Sequence, residues 1–186
     1  MADVTARLAR LRVPLGFVFA VLVMWLSQPS GATLLAGSAV AAAGEVLRIW
    51  AAGHLNKSRE VTSSGPYRWF AHPLYVGSSI LGAGLAIASG SLAVALLIAL
   101  YLGSTITAAV RSEEAFLRQK FGDHYDRYRR GETKPRDAAA RTRRFTMAQA
   151  IANREHRAVG GVVLAVLLLC LKATYNGTFW RAAGTR

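Results

Sequence analysis

Apolar residues in this chain gather into five long runs, at 13–26, 32–52, 74–88, 92–110 and 159–171, the last extendable to 175. Polar and basic stretches separate them. Runs of this length with so few charges predict helices that cross a hydrocarbon core of about 30 Å. Pro14 suits the first turn of the first run, which is slightly short for a full crossing. The second run is rich in Ala and Gly, and the third holds Gly77, Gly82 and Gly84, as close helix packing in lipid favours. Ser89-Gly90-Ser91 leaves almost no loop between the third and fourth runs. They form a predicted helical hairpin that returns the chain to the side it left. The expected fold is all-α: a polytopic membrane protein of one domain (residues 1–186), with about five transmembrane helices, this hairpin and cytoplasmic amphipathic helices.

Two polar stretches stand at the mouth of the hairpin. Residues 65–77 read GPYRWFAHPLYVG, and residues 111–130 read RSEEAFLRQKFGDHYDRYRR. In the second, Leu117, Phe121, Tyr125 and Tyr128 recur at spacings of four, four and three, which is one helix face. Gly122-Asp123 is placed to divide that helix, with Asp123 capping its second half. Residues 131–144 read as a surface loop, and 145–157 as an interfacial helix, basic on one side.

Charge adds orientation. The 186 residues are 53% hydrophobic yet carry a formal net charge of +13. Nearly all Lys and Arg fall in the amino-terminal arm, in the 53–73 loop and in 111–157, whereas the turns at 28–31 and 89–91 hold none. The arm and both polar stretches are therefore expected on the cytoplasmic side, and a fifth span places the carboxyl terminus outside. The basic residues flank apolar runs, so anionic membrane lipids explain them better than nucleic acid, which is not an expected partner. Cys170 is the single cysteine and reads as a packing residue. No cleavable signal peptide is expected. Glu45 and Arg48, three apart in the second run, share a helix face; they are either a functional intramembrane pair or an anchor snorkelling at the helix end.

The two stretches carry the candidate chemistry. Pro66 and Pro73 shape the loop between them, and Gly65 and Gly77 allow close backbone approach. Tyr67, Trp69, Phe70 and Tyr75 supply flat apolar faces, with Trp69 and Phe70 also suited to anchoring at the interface. His72 supplies a nitrogen that donates or accepts near neutral pH. Across the hairpin, Glu113 and Glu114 are two adjacent acids where a span emerges, with Arg111 and Arg118 about a turn away. Such a pair is costly at a membrane boundary unless a cation neutralises it. A fitting ligand has an amine for the acids, a carboxylate for an arginine or backbone amides, and an aromatic base for the rings. S-adenosylmethionine has all three, and a sulfonium that aromatic faces stabilise. No metal is expected.

These motifs resemble the membrane methyltransferases of the isoprenylcysteine carboxyl methyltransferase and phospholipid N-methyltransferase group. That pattern is a GPY–RHPxYxG loop, a helical hairpin, then EExxLxxxFGxxYxxY. Gly65, Pro66, Tyr67, His72, Pro73, Tyr75 and Gly77 fit the first part; Glu113, Glu114, Leu117, Phe121, Gly122, Tyr125 and Tyr128 fit the second. The resemblance covers about 45–130 and implies a catalytic core there. It implies S-adenosylmethionine contacts from Tyr67, His72, Pro73, Tyr75, Gly77, Arg111, Glu113, Glu114, Phe121 and Tyr125, and a lipophilic or small-molecule acceptor. His72 and Arg68 are the candidates for a catalytic role. Three departures stand out. The arginine usual before His-Pro is Ala71; Arg129-Arg130-Gly131-Glu132 replaces an apolar residue and a proline; and an extra basic segment and span follow over 131–175. Membrane sterol reductases, which use NADPH, share an HPxYxG element, but Leu74 and Ser78 stand where they usually show asparagine and an acid. A non-catalytic membrane protein is the third alternative, and it predicts no cofactor binding.

Overall fold

The computed structural model describes residues 18–56, 62, 64–122 and 144–180. Helix α1 covers 18–26; α2 is Gly31–His54; a single 3-10 turn is Gly65–Arg68; α3 is Pro73–Ser89; α4 is Leu92–Phe121; α5 is Met147–Ala152; α6 is Glu155–Tyr175. No strand occurs among the described residues. Three helices, α2, α4 and α6, are long and apolar enough to cross a membrane. The apolar α3 has 17 residues, about 25 Å, and falls short of the full hydrocarbon thickness. Of the run expected at 13–26, only 18–26 is described, so five full spans are more than these helices display.

Helices α2 and α3 form the centre because their backbones touch. A Cβ added at Gly37 would lie 2.3 Å from the Ala88 nitrogen; one at Gly84 would lie 2.3 Å from the Ala41 nitrogen; one at Gly44 would lie 2.4 Å from the Leu81 nitrogen. Small residues thus give the close approach that dispersion forces require where water supplies no hydrophobic drive. The α3–α4 turn is equally tight. Gly90 has φ +62°, and a Cβ there would meet the Gln28 carbonyl oxygen at 2.3 Å, while the Gln28 amide donates to Ser89 O at 2.7 Å. Ser30 and Thr33 build a capping box that starts α2.

The carboxy-terminal segment packs back on this pair. Leu169 and Ala173 of α6 meet Leu34 and Ala88, with Met24, Cys170 and Phe179 around them. Lys172 donates from Nζ to the carbonyls of Met24 and Trp25, satisfying the free end of α1. The segment expected as one interfacial helix over 145–157 is instead the short α5, a turn at Asn153-Arg154 with Arg154 in the left-handed region (φ +65°), and the start of α6. The reason is the docking of α5 on the end of α2. Gln149 donates to Leu55 O at 2.9 Å, and Asn153 donates to Ala52 O and Leu55 O at 2.8 and 2.9 Å.

Helix α4 continues without a break where a span was expected to end at 110. Its 30 residues make about 45 Å, some 15 Å more than the hydrocarbon core. A helix of this length is long enough to carry Glu113 and Glu114 beyond the hydrocarbon core. It stops at Gly122, whose φ of +53° ends the helix where the sequence predicts a break. The apolar flank of α4 is uncovered among the described residues, with Leu92 77% and Leu100 71% exposed. Phe19 stacks on Tyr101 at 5.1 Å and joins α1 to α4.

Candidate functional site

Pro73 occupies the first turn of α3 and fixes the start of that helix at His72. The His72 carbonyl accepts from the Tyr75 and Val76 amides at 3.1 and 3.2 Å, which locks the loop onto the helix. The hairpin then brings α4 alongside, and Glu113 and Glu114 straddle the imidazole. His72 Nδ1 lies 3.6 Å from Glu113 Oε2, and Nε2 lies 3.7 Å from Glu114 Oε1. Neighbours on a helix point about 100° apart, so two consecutive acids reach both nitrogens of one ring only when the ring lies between their directions. Both separations exceed ordinary hydrogen-bond length and leave electrostatic contacts. His72 Nε2 is buried without a hydrogen-bond partner among the described residues. Glu113 also shares a side-chain hydrogen bond with Tyr75, and Arg118 Nη2 approaches Glu114 Oε2 at 3.8 Å. Glu114 is the more enclosed acid, its side chain 12% exposed against 40% for Glu113.

A cleft of about 420 Å³ opens beside this cluster, lined by Trp69, Phe70, Ala71, His72, Tyr75 and Val76, with Ser79 and Ile106 at one end. A second cavity of about 360 Å³ continues between α3 and α4 and shares Ser79 and Ile106 with the first. Its other walls are small or aliphatic, among them Ala83, Ala86, Ala99 and Leu102. The sequence motifs did not reveal this continuation, because its residues are ordinary span residues until two helices face each other. Trp69 and Phe70, suited by sequence to anchoring, line the cleft, and Trp69 also approaches Trp50 at 5.7 Å.

The remaining site residues scatter. Tyr67 is buried in the 3-10 turn and does not line the cleft; Arg68, at the end of that turn, and Arg111, on α4, are exposed and do not line it either. Gly77 is turned toward α2: a Cβ there would meet Arg48 Cγ at 2.7 Å and Gly44 O at 2.9 Å. Its close approach serves helix packing. Gly65 has φ +56° and would collide with the His54 ring at 2.7 Å if it bore a Cβ. For Phe121, only its place at the end of α4 is described; Tyr125 and Tyr128, with the expected cap Asp123, lie outside the described residues. Among the described residues no group of three or more His, Cys, Asp or Glu is placed to hold a metal ion.

The Glu45–Arg48 pair belongs to a larger buried cluster. Arg48 Nε lies 3.5 Å from Glu45 Oε2, but its Nη2 donates to both oxygens of Glu155 at 2.9 Å, and its Nη1 donates to Ser78. Arg48 is thus held by side chains of α3 and α6 as well as by Glu45. Glu155 is the partner sequence reasoning missed, 107 positions away.

A family model described as phospholipid methyltransferase matches residues 15–124. The protein-S-isoprenylcysteine O-methyltransferase of Schizosaccharomyces pombe is 33% identical over 96 residues, which cover 52% of this chain and 41% of that protein. The nickel-cobalt-cadmium resistance protein NccN of Alcaligenes xylosoxydans xylosoxydans is 33% identical over 103 residues, covering 54% of this chain and 48% of that protein. The aligned part is thus less than half the length of each of these relatives. No solved structure matches the chain.

Proposed function

Because the chain belongs to the phospholipid methyltransferase family, we propose that it is an integral-membrane methyltransferase that uses S-adenosylmethionine and acts on a lipophilic acceptor. The observation that carries this is His72 held between Glu113 and Glu114 at the mouth of an apolar cleft. The residues suit the cofactor. Two carboxylates flank His72 beside the cleft and offer partners for the cofactor's amine, and Tyr75, Trp69 and Phe70 in the cleft wall offer rings to its base and sulfonium.

When bound, S-adenosylmethionine would supply an electrophilic methyl carbon for the acceptor's lone pair, with its sulfur as the leaving group that keeps the electron pair. What the chain contributes is position. Glu114 and Glu113 would hold the amine end, His72 and Tyr75 would fix the wall, and the α3–α4 groove would orient an acceptor chain toward the methyl group. The uncovered apolar flank of α4 supports access for that acceptor from the bilayer. Any proton released by the acceptor passes to His72 or to water at the cleft mouth.

The deciding experiment is binding and turnover with purified full-length protein. Labelled S-adenosylmethionine should bind, and label should move to a lipid extracted from the same membranes; absence of binding ends the proposal. The Lys and Arg asymmetry supports a cytoplasmic orientation for this site. A cysteine at Asn56 should then be labelled by an impermeant reagent only from the cytoplasm, and one at Ser30 only from outside. The reverse pattern overturns the orientation.

A further inference from the structure

The carboxy-terminal segment lies beyond the matched residues 15–124, yet it reaches the back of α3 through one arginine. Arg48 Nη2 donates to both oxygens of Glu155 at 2.9 Å, and Nη1 donates to Ser78 Oγ. Ser78 Oγ in turn donates to Leu74 O at 2.9 Å. Leu74 adjoins Tyr75, whose amide is held by the His72 carbonyl at 3.1 Å. A polar chain thus runs from α6 through α2 into the first turn of α3. On the other face of that turn, His72, Tyr75, Val76 and Ser79 line the cleft. Gly77 belongs to the same device, since only a residue without Cβ leaves room for the Arg48 stem, 2.7 Å from where that atom would be.

The chain is enclosed. Glu155 is 6% exposed and the Arg48 side chain 21%. A buried guanidinium with a two-oxygen partner is held in one orientation, whereas one that has lost its partner turns toward any other acceptor. Glu45 is the other acid in reach; its Oε2 is ion-paired with Arg48 Nε at 3.5 Å but makes no hydrogen bond among the described residues, so it holds the guanidinium less firmly than the two-oxygen contact of Glu155.

We propose that Glu155, Arg48 and Ser78 are positioning residues for methyl transfer: the carboxy-terminal helix clamps the first turn of α3 from behind and so sets His72 and Tyr75 against Glu113 and Glu114. The proposal rests on the methyltransferase reading above. It gives the segment that departs from the family pattern a role in the site without placing any of its residues in the cleft.

The test uses the full-length protein in lipid nanodiscs and the variants Ser78→Ala, Ser78→Thr, Glu155→Gln and Glu45→Gln. Two quantities are read: amide hydrogen exchange of the peptide containing Tyr75 and Val76, and methyl transfer per folded molecule. Loss of the clamp should speed exchange there and lower kcat by about 10- to 100-fold with little change in acceptor KM, as a sub-ångström to ångström misplacement does. Ser78→Ala and Glu155→Gln should show both effects. Ser78→Thr, which keeps the hydroxyl, and Glu45→Gln should stay close to the parent. If Glu155→Gln folds poorly, Ser78→Ala carries the test, since it removes only one hydroxyl. Parent-like exchange and kcat in Ser78→Ala overturns the proposal, as does a loss that tracks only the amount of folded protein. A parent that neither binds S-adenosylmethionine nor transfers methyl overturns the functional reading instead, and the exchange data then still report whether the clamp exists.

Discussion

Glu114→Gln is the sharpest probe of the candidate site. The substitution keeps the side chain's size and one carbonyl oxygen and removes its charge. Glu114 stands 3.7 Å from His72 Nε2 and 3.8 Å from Arg118 Nη2, with its side chain 12% exposed. A charged hydrogen bond from a ligand amine to such an enclosed carboxylate is worth roughly 1.5–3 kcal/mol, which is about a 10- to 150-fold change in Kd. Glu113 is 40% exposed, so solvent screens it more and Glu113→Gln should cost less, at or below the lower end of that range. The assay is equilibrium binding of labelled S-adenosylmethionine to purified protein, with thermal unfolding measured alongside to show that both variants fold. The order of effect, Glu114 above Glu113, is part of the prediction. Parent-like affinity in both variants would refute the assignment of these acids to the cofactor, and a larger loss at Glu113 would refute the argument from enclosure.

The other predictions concern packing, capping and the acceptor. Gly84→Leu should abolish the folded α2–α3 pair, because even its Cβ would lie 2.3 Å from the Ala41 nitrogen, whereas Gly160→Ala meets nothing within 4 Å and should be tolerated; detergent-extracted yield and Tm read both. Asn153→Ala removes one donor from each of the Ala52 and Leu55 carbonyls, which keep the Leu55 amide and Gln149 as donors, and should cost about 1 kcal/mol, seen as a Tm lower by a few degrees. Ala71 lines the cleft where a guanidinium would hold a prenylcysteine carboxylate by two hydrogen bonds. The protein should therefore methylate a farnesylcysteine analogue poorly and a neutral or amine-bearing lipid better in a labelled-transfer panel. Rapid transfer to the farnesylcysteine analogue, lost in Arg68→Ala, would show that Arg68 had taken over that contact.

The sequence by itself determined the helical membrane character and the pairing of the two motifs. Those rest on local properties: run length, the glycine-bearing turn at Ser89-Gly90-Ser91, and adjacent acids one hairpin away from His-Pro. Gly122 ends α4 where the sequence marks a break, because the chemistry of a helix stop lies within a few residues. Tertiary structure alone decided which glycines face a neighbour and which face open space. Gly77 and Gly160 look alike in sequence, but one lies against Arg48 and the other touches nothing. It also decided that the span from Leu92 and the acidic stretch are one rigid helix, and that the long tail returns to α2. Glu155 meets Arg48 across 107 positions, and neither residue's neighbours in sequence announce the other. Periodicity reports which face a helix hides; it does not report what that face is hidden against, because the partner is chosen by the packing of the whole chain.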